Sequence, residues 1–305
     1  MPERPNQDRV TPDQILQRLD WQVIRRLDGL LQGDYRSLFY GYGIDFADLR
    51  EYQPGDDIRY IDWNVTARVN MPYVRQYIDD REITAWFLLD LSPSMDFGNL
   101  YNLKRTVLID VVATLARLLT RHGNRTGAML SGGSADHRIE RVIPARGGRV
   151  QVLHIINDLL NQPLLPRTSF TNLAPLIEGG LNSIKKRSLI FIVSDFISVP
   201  GWERSLTLLS QRHEVIALRV WDPREVELPE MGMVVLEDAE TGEQMFVDTS
   251  DRKFRARFEQ VAQQHEARLK EAFTRAGVDM LPLSTEEDLI RAIVRFARLR
   301  SRRRR

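Results

Sequence analysis

Five oxygen-bearing side chains stand where apolar runs give way to polar loops. Asp90-Leu91-Ser92-Pro93-Ser94 closes the apolar run 83–91 and offers one carboxylate and two hydroxyls at alternate positions. Ser194-Asp195 closes a second run, Leu189-Ile190-Phe191-Ile192-Val193, and adds another carboxylate. Thr171, in a polar loop just ahead of a helical segment, adds a third hydroxyl. Hard divalent cations take such oxygen donors, and Mg²⁺ binds through a few protein oxygens while keeping several waters. Each piece also has a plainer reading. D-x-S-x-S suits a turn or helix cap, and Thr171 suits an N-cap.

The elements around these residues decide whether they can meet. From residue 83 onward the pattern alternates strand and helix. Strands are expected at 83–91, 127–130, 139–143, 189–194, 215–220 and 278–283, with a hairpin at 234–247 around Glu240-Thr241-Gly242. Helices are expected at 100–120, 150–160, 173–184, 202–209, 254–276 and 286–299. Strands separated by such helices imply a doubly wound, mostly parallel α/β sheet. Sheets of that kind bind ligands at the carboxyl ends of their strands. Asp90 and Asp195 both stand at such ends.

Ahead of this core, Thr11-Pro12-Asp13 opens a helix whose apolar face is Ile15, Leu16, Leu19, Val23, Ile24, Leu27, Leu30 and Leu31. Residues 33–82, rich in Gly, Asp, Arg and Tyr, read as a β-rich appendage. The expected organisation is a flexible start at 1–11, a helix and appendage at 12–82, the core at 83–297 and a basic tail at 298–305.

The order D-x-S-x-S, loop Thr, strand-end Asp resembles the metal-ion-dependent adhesion site of von Willebrand factor A domains. That resemblance implies one Mg²⁺ (or Mn²⁺) held by Asp90, Ser92, Ser94, Thr171 and Asp195, with a partner carboxylate taking the open position. The stretch Gly41-Tyr42-Gly43-Ile44-Asp45-Phe46-Ala47-Asp48-Leu49-Arg50-Glu51-Tyr52-Gln53-Pro54-Gly55-Asp56-Asp57-Ile58-Arg59-Tyr60-Ile61-Asp62-Trp63, continued by 64–68 and Tyr73-Val74-Arg75, is similar to the signature of the bacterial family called domain of unknown function 58. Members commonly travel with MoxR-type AAA+ ATPases. This implies a non-enzymatic adaptor in chaperone-like complex assembly or metal insertion. The acids and arginines of the signature suit an ion-pair network, with Trp63 and Tyr52 as packing residues. The alternative is that Asp56, Asp57, Arg59 and Asp62 form a surface for the ATPase.

Other chemistries find little support. There are no cysteines, so disulfides, thiol nucleophiles and cysteine-ligated zinc are excluded. No P-loop, G-x-S-x-G elbow or H-E-x-x-H occurs, and the five histidines are scattered. The best enzymatic alternative is a Mg²⁺-dependent phosphotransferase using Asp90, although Ser92 stands where such enzymes usually carry a second carboxylate. A formal net charge of +1 gives no reason to expect nucleic acid. The run 107–119 is interrupted by Asp110 and Arg117, so no membrane span is expected, and the protein reads as soluble and cytoplasmic. The arginines from Arg298 to Arg305 read as a solvated, frayed helix end.

Overall fold

The structure is a computed structural model and describes residues 11–30, 48–54, 56, 58, 61–69, 71–76, 83–98, 102–132, 139–162 and 170–303. The chain divides into two compact units, Tyr40–Glu82 and Met1–Phe39 with Ile83–Arg305. In the smaller unit β1 (Asp48–Glu51) and β2 (Tyr73–Gln76) pair antiparallel, Asp48 opposite Gln76 and Glu51 opposite Tyr73. A helix, Trp63–Val69, lies between them in sequence. The first residue of that helix, Trp63, is 69% exposed, contrary to the packing role expected of it.

In the larger unit the strands are β3 (Thr84–Asp90), β4 (Arg125–Ser131), β5 (Arg141–Arg146), β6 (Leu189–Ser194), β7 (Glu214–Trp221), β8 (Met233–Glu237), β9 (Gln244–Asp248) and β10 (Asp279–Ser284). Six of them form one sheet in the order β10-β7-β6-β3-β4-β5. Neighbours run parallel except β4 and β5, which pair antiparallel. β8 and β9 make a separate antiparallel hairpin.

β3 and β6 lie at the centre, which explains why their sequences read as almost unbroken apolar runs. Phe87 and Phe191 are register partners whose rings stack at 5.2 Å. On one face Leu88, Ile190 and Ile192 join a buried cluster with Leu176, Ile177, Leu206, Leu269 and Phe273. These come from the helices Ala174–Ser183, Trp202–Arg212 and Arg252–Ala276. The helices Lys104–Arg121 and Gly148–Asn161 pack together on the other face, with the helix Pro12–Leu19 against both. The sheet is therefore mixed but largely parallel, with helices on both sides.

The N-terminal helix starts as its sequence dictates. Thr11 Oγ1 accepts the Gln14 N–H at 3.3 Å, and Gln14 Oε1 accepts the Thr11 N–H at 2.8 Å. This reciprocal pair satisfies two otherwise orphaned donors. A π-helical stretch, Asp20–Ile24, then rotates the frame before the chain resumes as Arg25–Leu30. Ile15, Leu16, Leu19, Ile24 and Leu27 are buried, but Leu30, expected on the same stripe, is half exposed.

At the other end, the helix Leu289–Arg303 runs through the positions expected to form a loose tail. Arg300 is buried, donating to Asp279 at 2.9 Å and pairing with Glu214. Among the described residues no helix is long and apolar enough to cross a membrane.

Candidate cation site

β3 ends on Asp90 between β4 and β6, so its exit loop is hemmed in on both sides. The Leu91 N–H donates to the Ser131 carbonyl at 2.7 Å. Gly132 then passes so close that a Cβ there would lie 2.3 Å from the Leu91 carbonyl carbon. Only glycine fits, and the two strand ends are fixed backbone against backbone.

The five residues singled out by sequence are all buried. Asp90 Oδ1 accepts the Ser92 N–H at 3.0 Å, and Oδ2 accepts the Ser194 hydroxyl at 2.6 Å. Ser92 and Ser94 hydrogen-bond through their hydroxyls at 3.1 Å. Asp195 Oδ1 accepts the Ile197 N–H at 2.9 Å, and Oδ2 accepts Lys104 Nζ at 2.7 Å. Between them Phe196 holds φ at +59°, a strained value for a bulky residue, with its ring packed against Trp202 and Phe273. Thr171 is tied to the same edge, since its carbonyl accepts the Val199 N–H at 2.9 Å.

The capping alternatives are not what these side chains do. Ser92 precedes the 3₁₀ turn Pro93–Asp96 without a side-chain cap. The helix after Thr171 is held at its start by Asn172 Oδ1, which accepts the Ala174 N–H at 3.0 Å. Thr171 Oγ1 instead donates to Glu240 Oε1 at 2.7 Å, and that oxygen also accepts the Ser94 N–H at 3.2 Å. Thr171 and the Asp90–Ser94 loop therefore meet at one carboxylate oxygen.

Three residues of the site, Glu240, Lys104 and Glu225, escaped the sequence reading. Glu240, at the tip of the β8–β9 hairpin, looked like a turn residue and carried no signal. Lys104 opens the helix Lys104–Arg121 with a wholly buried side chain and pairs with both Asp195 and Glu225. Its signal was positional, because residues 104, 108, 111 and 115 fall on one helical stripe and the other three are apolar and buried.

Asp195 and Glu225 share the Lys104 ammonium, and Asp90 feels the charge of Asp195. Burial, and then the charge of Asp195, push the Asp90 carboxyl up to about 7, against the opposing hydrogen bonds from Ser194 and Ser92. Burial pulls the Lys104 ammonium down, but the charges of Asp195 and Glu225 more than offset this and raise it above its ordinary value. Among the described residues Asp90 pairs with no cationic side chain. A hard cation fits that deficit and the oxygen-only donor set. Among the described residues no three His, Cys, Asp or Glu side chains are placed to hold a metal ion together, so a cation here would depend on the hydroxyls of Ser92, Ser94 and Thr171.

Two acids of the 41–63 signature hold local backbone donors. Asp56 Oδ2 accepts the Gln53 N–H at 2.8 Å, and Asp62 Oδ1 accepts the Val65 N–H at 3.3 Å at the start of the Trp63–Val69 helix. Asp57 and Arg59 lie outside the described residues.

Comparison with known proteins adds kinship but no activity. Uncharacterized proteins of Mycobacterium bovis and Mycobacterium tuberculosis are each 38% identical over 289 residues, covering 94% of this chain and 89% of theirs. A solved structure titled as an aerotolerance-related membrane protein from Bacteroides fragilis aligns with 72% of this chain and 99% of its own, at 13% identity and a TM-score of 0.49. Residues 48–268 match the family described as "Protein of unknown function DUF58", and the chain belongs to that family.

Proposed function

We propose that the site holds one Mg²⁺-class cation and uses it to grip an acidic side chain of a protein partner, without catalysing a reaction. The observation that carries this reading is Asp90. It is a buried carboxyl beside a second carboxyl, ringed by hydroxyls and without a cationic partner among the described residues. Asp90, Ser92, Ser94, Thr171 and Asp195 would hold the ion, and the ion would supply a strongly polarising positive centre. This matches the ligand order of the metal-ion-dependent adhesion site, to which the sequence is similar. A carboxylate-bearing partner follows from the charge left on a cation held by few anionic ligands. The resemblance to MoxR-associated proteins makes a MoxR-type AAA+ ATPase the candidate, in complex assembly or metal insertion.

We favour this reading over a phosphotransferase because an attacking Asp90 would have to reach an incoming phosphoryl group, and the residue is 2% exposed.

The test is a Mn²⁺ titration of the full chain, followed by electron paramagnetic resonance. One Mn²⁺ should bind and be displaced by Mg²⁺ more readily than by Ca²⁺. Ser94→Ala should remain folded and bind about tenfold more weakly, the loss of one oxygen ligand. Co-purification of a partner should disappear with EDTA and return with Mg²⁺. A chain that binds no Mn²⁺ above the level of Asp90→Asn would overturn the cation site.

A further inference from the structure

The β8–β9 hairpin buries few of its own side chains. Between Met231 and Asp248 the buried side chains are Glu240 and Val247, while Met233, Val235, Met245 and Phe246 are exposed. A carboxylate is an improbable anchor for a hairpin, since burying it is unfavourable unless hydrogen-bond donors await it. Here they do, as the Ser94 N–H and the Thr171 hydroxyl both converge on Glu240 Oε1.

The tip is braced by its own hydrogen bonds. Asp238 Oδ1 accepts the N–H groups of Glu240 and Thr241, each at 2.8 Å. The Gly242 N–H donates to the Asp238 carbonyl at 2.8 Å, and Gly242 takes φ of +74°. These bonds fix the backbone of the turn that carries Glu240. Ser94 and Thr171, which receive it, are two of the five residues proposed to hold the cation.

We infer that Glu240 is an internal ligand of this site. Its carboxylate occupies the place open to an incoming acidic side chain, and the β8–β9 hairpin must lift before an acidic segment of a partner can enter. This rests on the cation-site reading above. The molecule then has a closed state, satisfied in cis, and an open state that only a competing carboxylate stabilises.

The experiment compares the full-length wild type with Glu240→Ala and with Glu243→Ala, an exposed neighbour on the same turn. It reads amide exchange at Ser94 and Mn²⁺ affinity with and without acetate. Glu240→Ala should speed Ser94 exchange at least about fivefold, because that N–H loses its acceptor. Its Mn²⁺ affinity should fall about fivefold and recover in tens of millimolar acetate, with the small carboxylate filling the vacated place. Wild type and Glu243→Ala should ignore acetate. Unchanged Ser94 exchange in Glu240→Ala, or unchanged Mn²⁺ affinity that acetate does not move, would overturn the internal ligand. If the wild type binds no Mn²⁺ at all, the cation reading falls by itself. Ser94 exchange then decides alone whether Glu240 latches the hairpin.

Discussion

Lys104 is the residue on which the charge of the site turns. Its ammonium is out of contact with water, and it is tolerable there because Asp195 and Glu225 both meet it. Lys104→Met keeps much of the length and packing of the stem but removes the cation, leaving Asp195 to face Asp90 uncompensated. Removing one partner of a buried pair leaves an unpaired charge, so the variant should lose about 3–5 kcal/mol in chemical denaturation. Millimolar Mg²⁺ should return part of that loss, since a bound cation stabilises the folded state through its affinity. A Lys104→Met chain as stable as the wild type would show that the pairing contributes nothing. The residue types of the site were legible only as a set, because D-x-S-x-S alone equally suits a turn and the Asp90–Ser92 bond is of that local kind. Glu240 was not, because nothing local marks a hairpin tip as bound for partners 69 and 146 residues earlier in the chain.

At the scale of elements, the site depends on how tightly two parallel strands end side by side. β3 and β6 were legible because burial on both faces writes an unbroken apolar run. Other features went unread in the sequence. The antiparallel pairing of β5 follows from the link after β4, which is too short for a helical crossover and is passed over when the sheet is read as mostly parallel. The π-helical stretch at Asp20–Ile24 is invisible to a pattern that assumes one constant helical period. Gly132 also lacks a local signal, because its need for hydrogen as a side chain comes from Leu91 across the strand gap. Gly132→Ala must push the Leu91 backbone, which has no rotamer to yield. The expected cost is about 1–3 kcal/mol, typical of overpacking, and the strain lands on the Asp90–Ser94 loop. Mn²⁺ binding should therefore weaken while far-UV circular dichroism is kept. Gly29→Ala, where nothing lies within 4 Å of the added carbon, is the control and should leave Mn²⁺ binding intact. Equal Mn²⁺ binding in both variants would mean that the loop does not need this close approach.

At the scale of the whole molecule, the two ends of the sheet carry different duties. The candidate site gathers at the carboxyl ends of β3 and β6, while Arg300 reaches the amino ends of β7 and β10 through Glu214 and Asp279. A basic C-terminus in a chain of net charge +1 suggested a solvated run, since sequence alone cannot tell which arginine of a helix turns inward. One of them does, and it ties the closing helix to two neighbouring strands, one of them the edge strand β10. Arg300→Met should thus lower stability by about 2 kcal/mol, the scale of charge-assisted hydrogen bonds to partly exposed acids. Arg302→Ala, on the exposed side of the same helix, should stay within about 0.5 kcal/mol of wild type. Because the lock and the site lie at opposite ends of the sheet, their effects should be additive. Arg300→Met should therefore bind Mn²⁺ within about twofold of wild type when measured well below its melting temperature. Denaturation curves and a Mn²⁺ titration on the same preparations check both halves. A large loss of Mn²⁺ affinity in folded Arg300→Met would mean that the two ends are coupled through the sheet, and independent action would have to be abandoned.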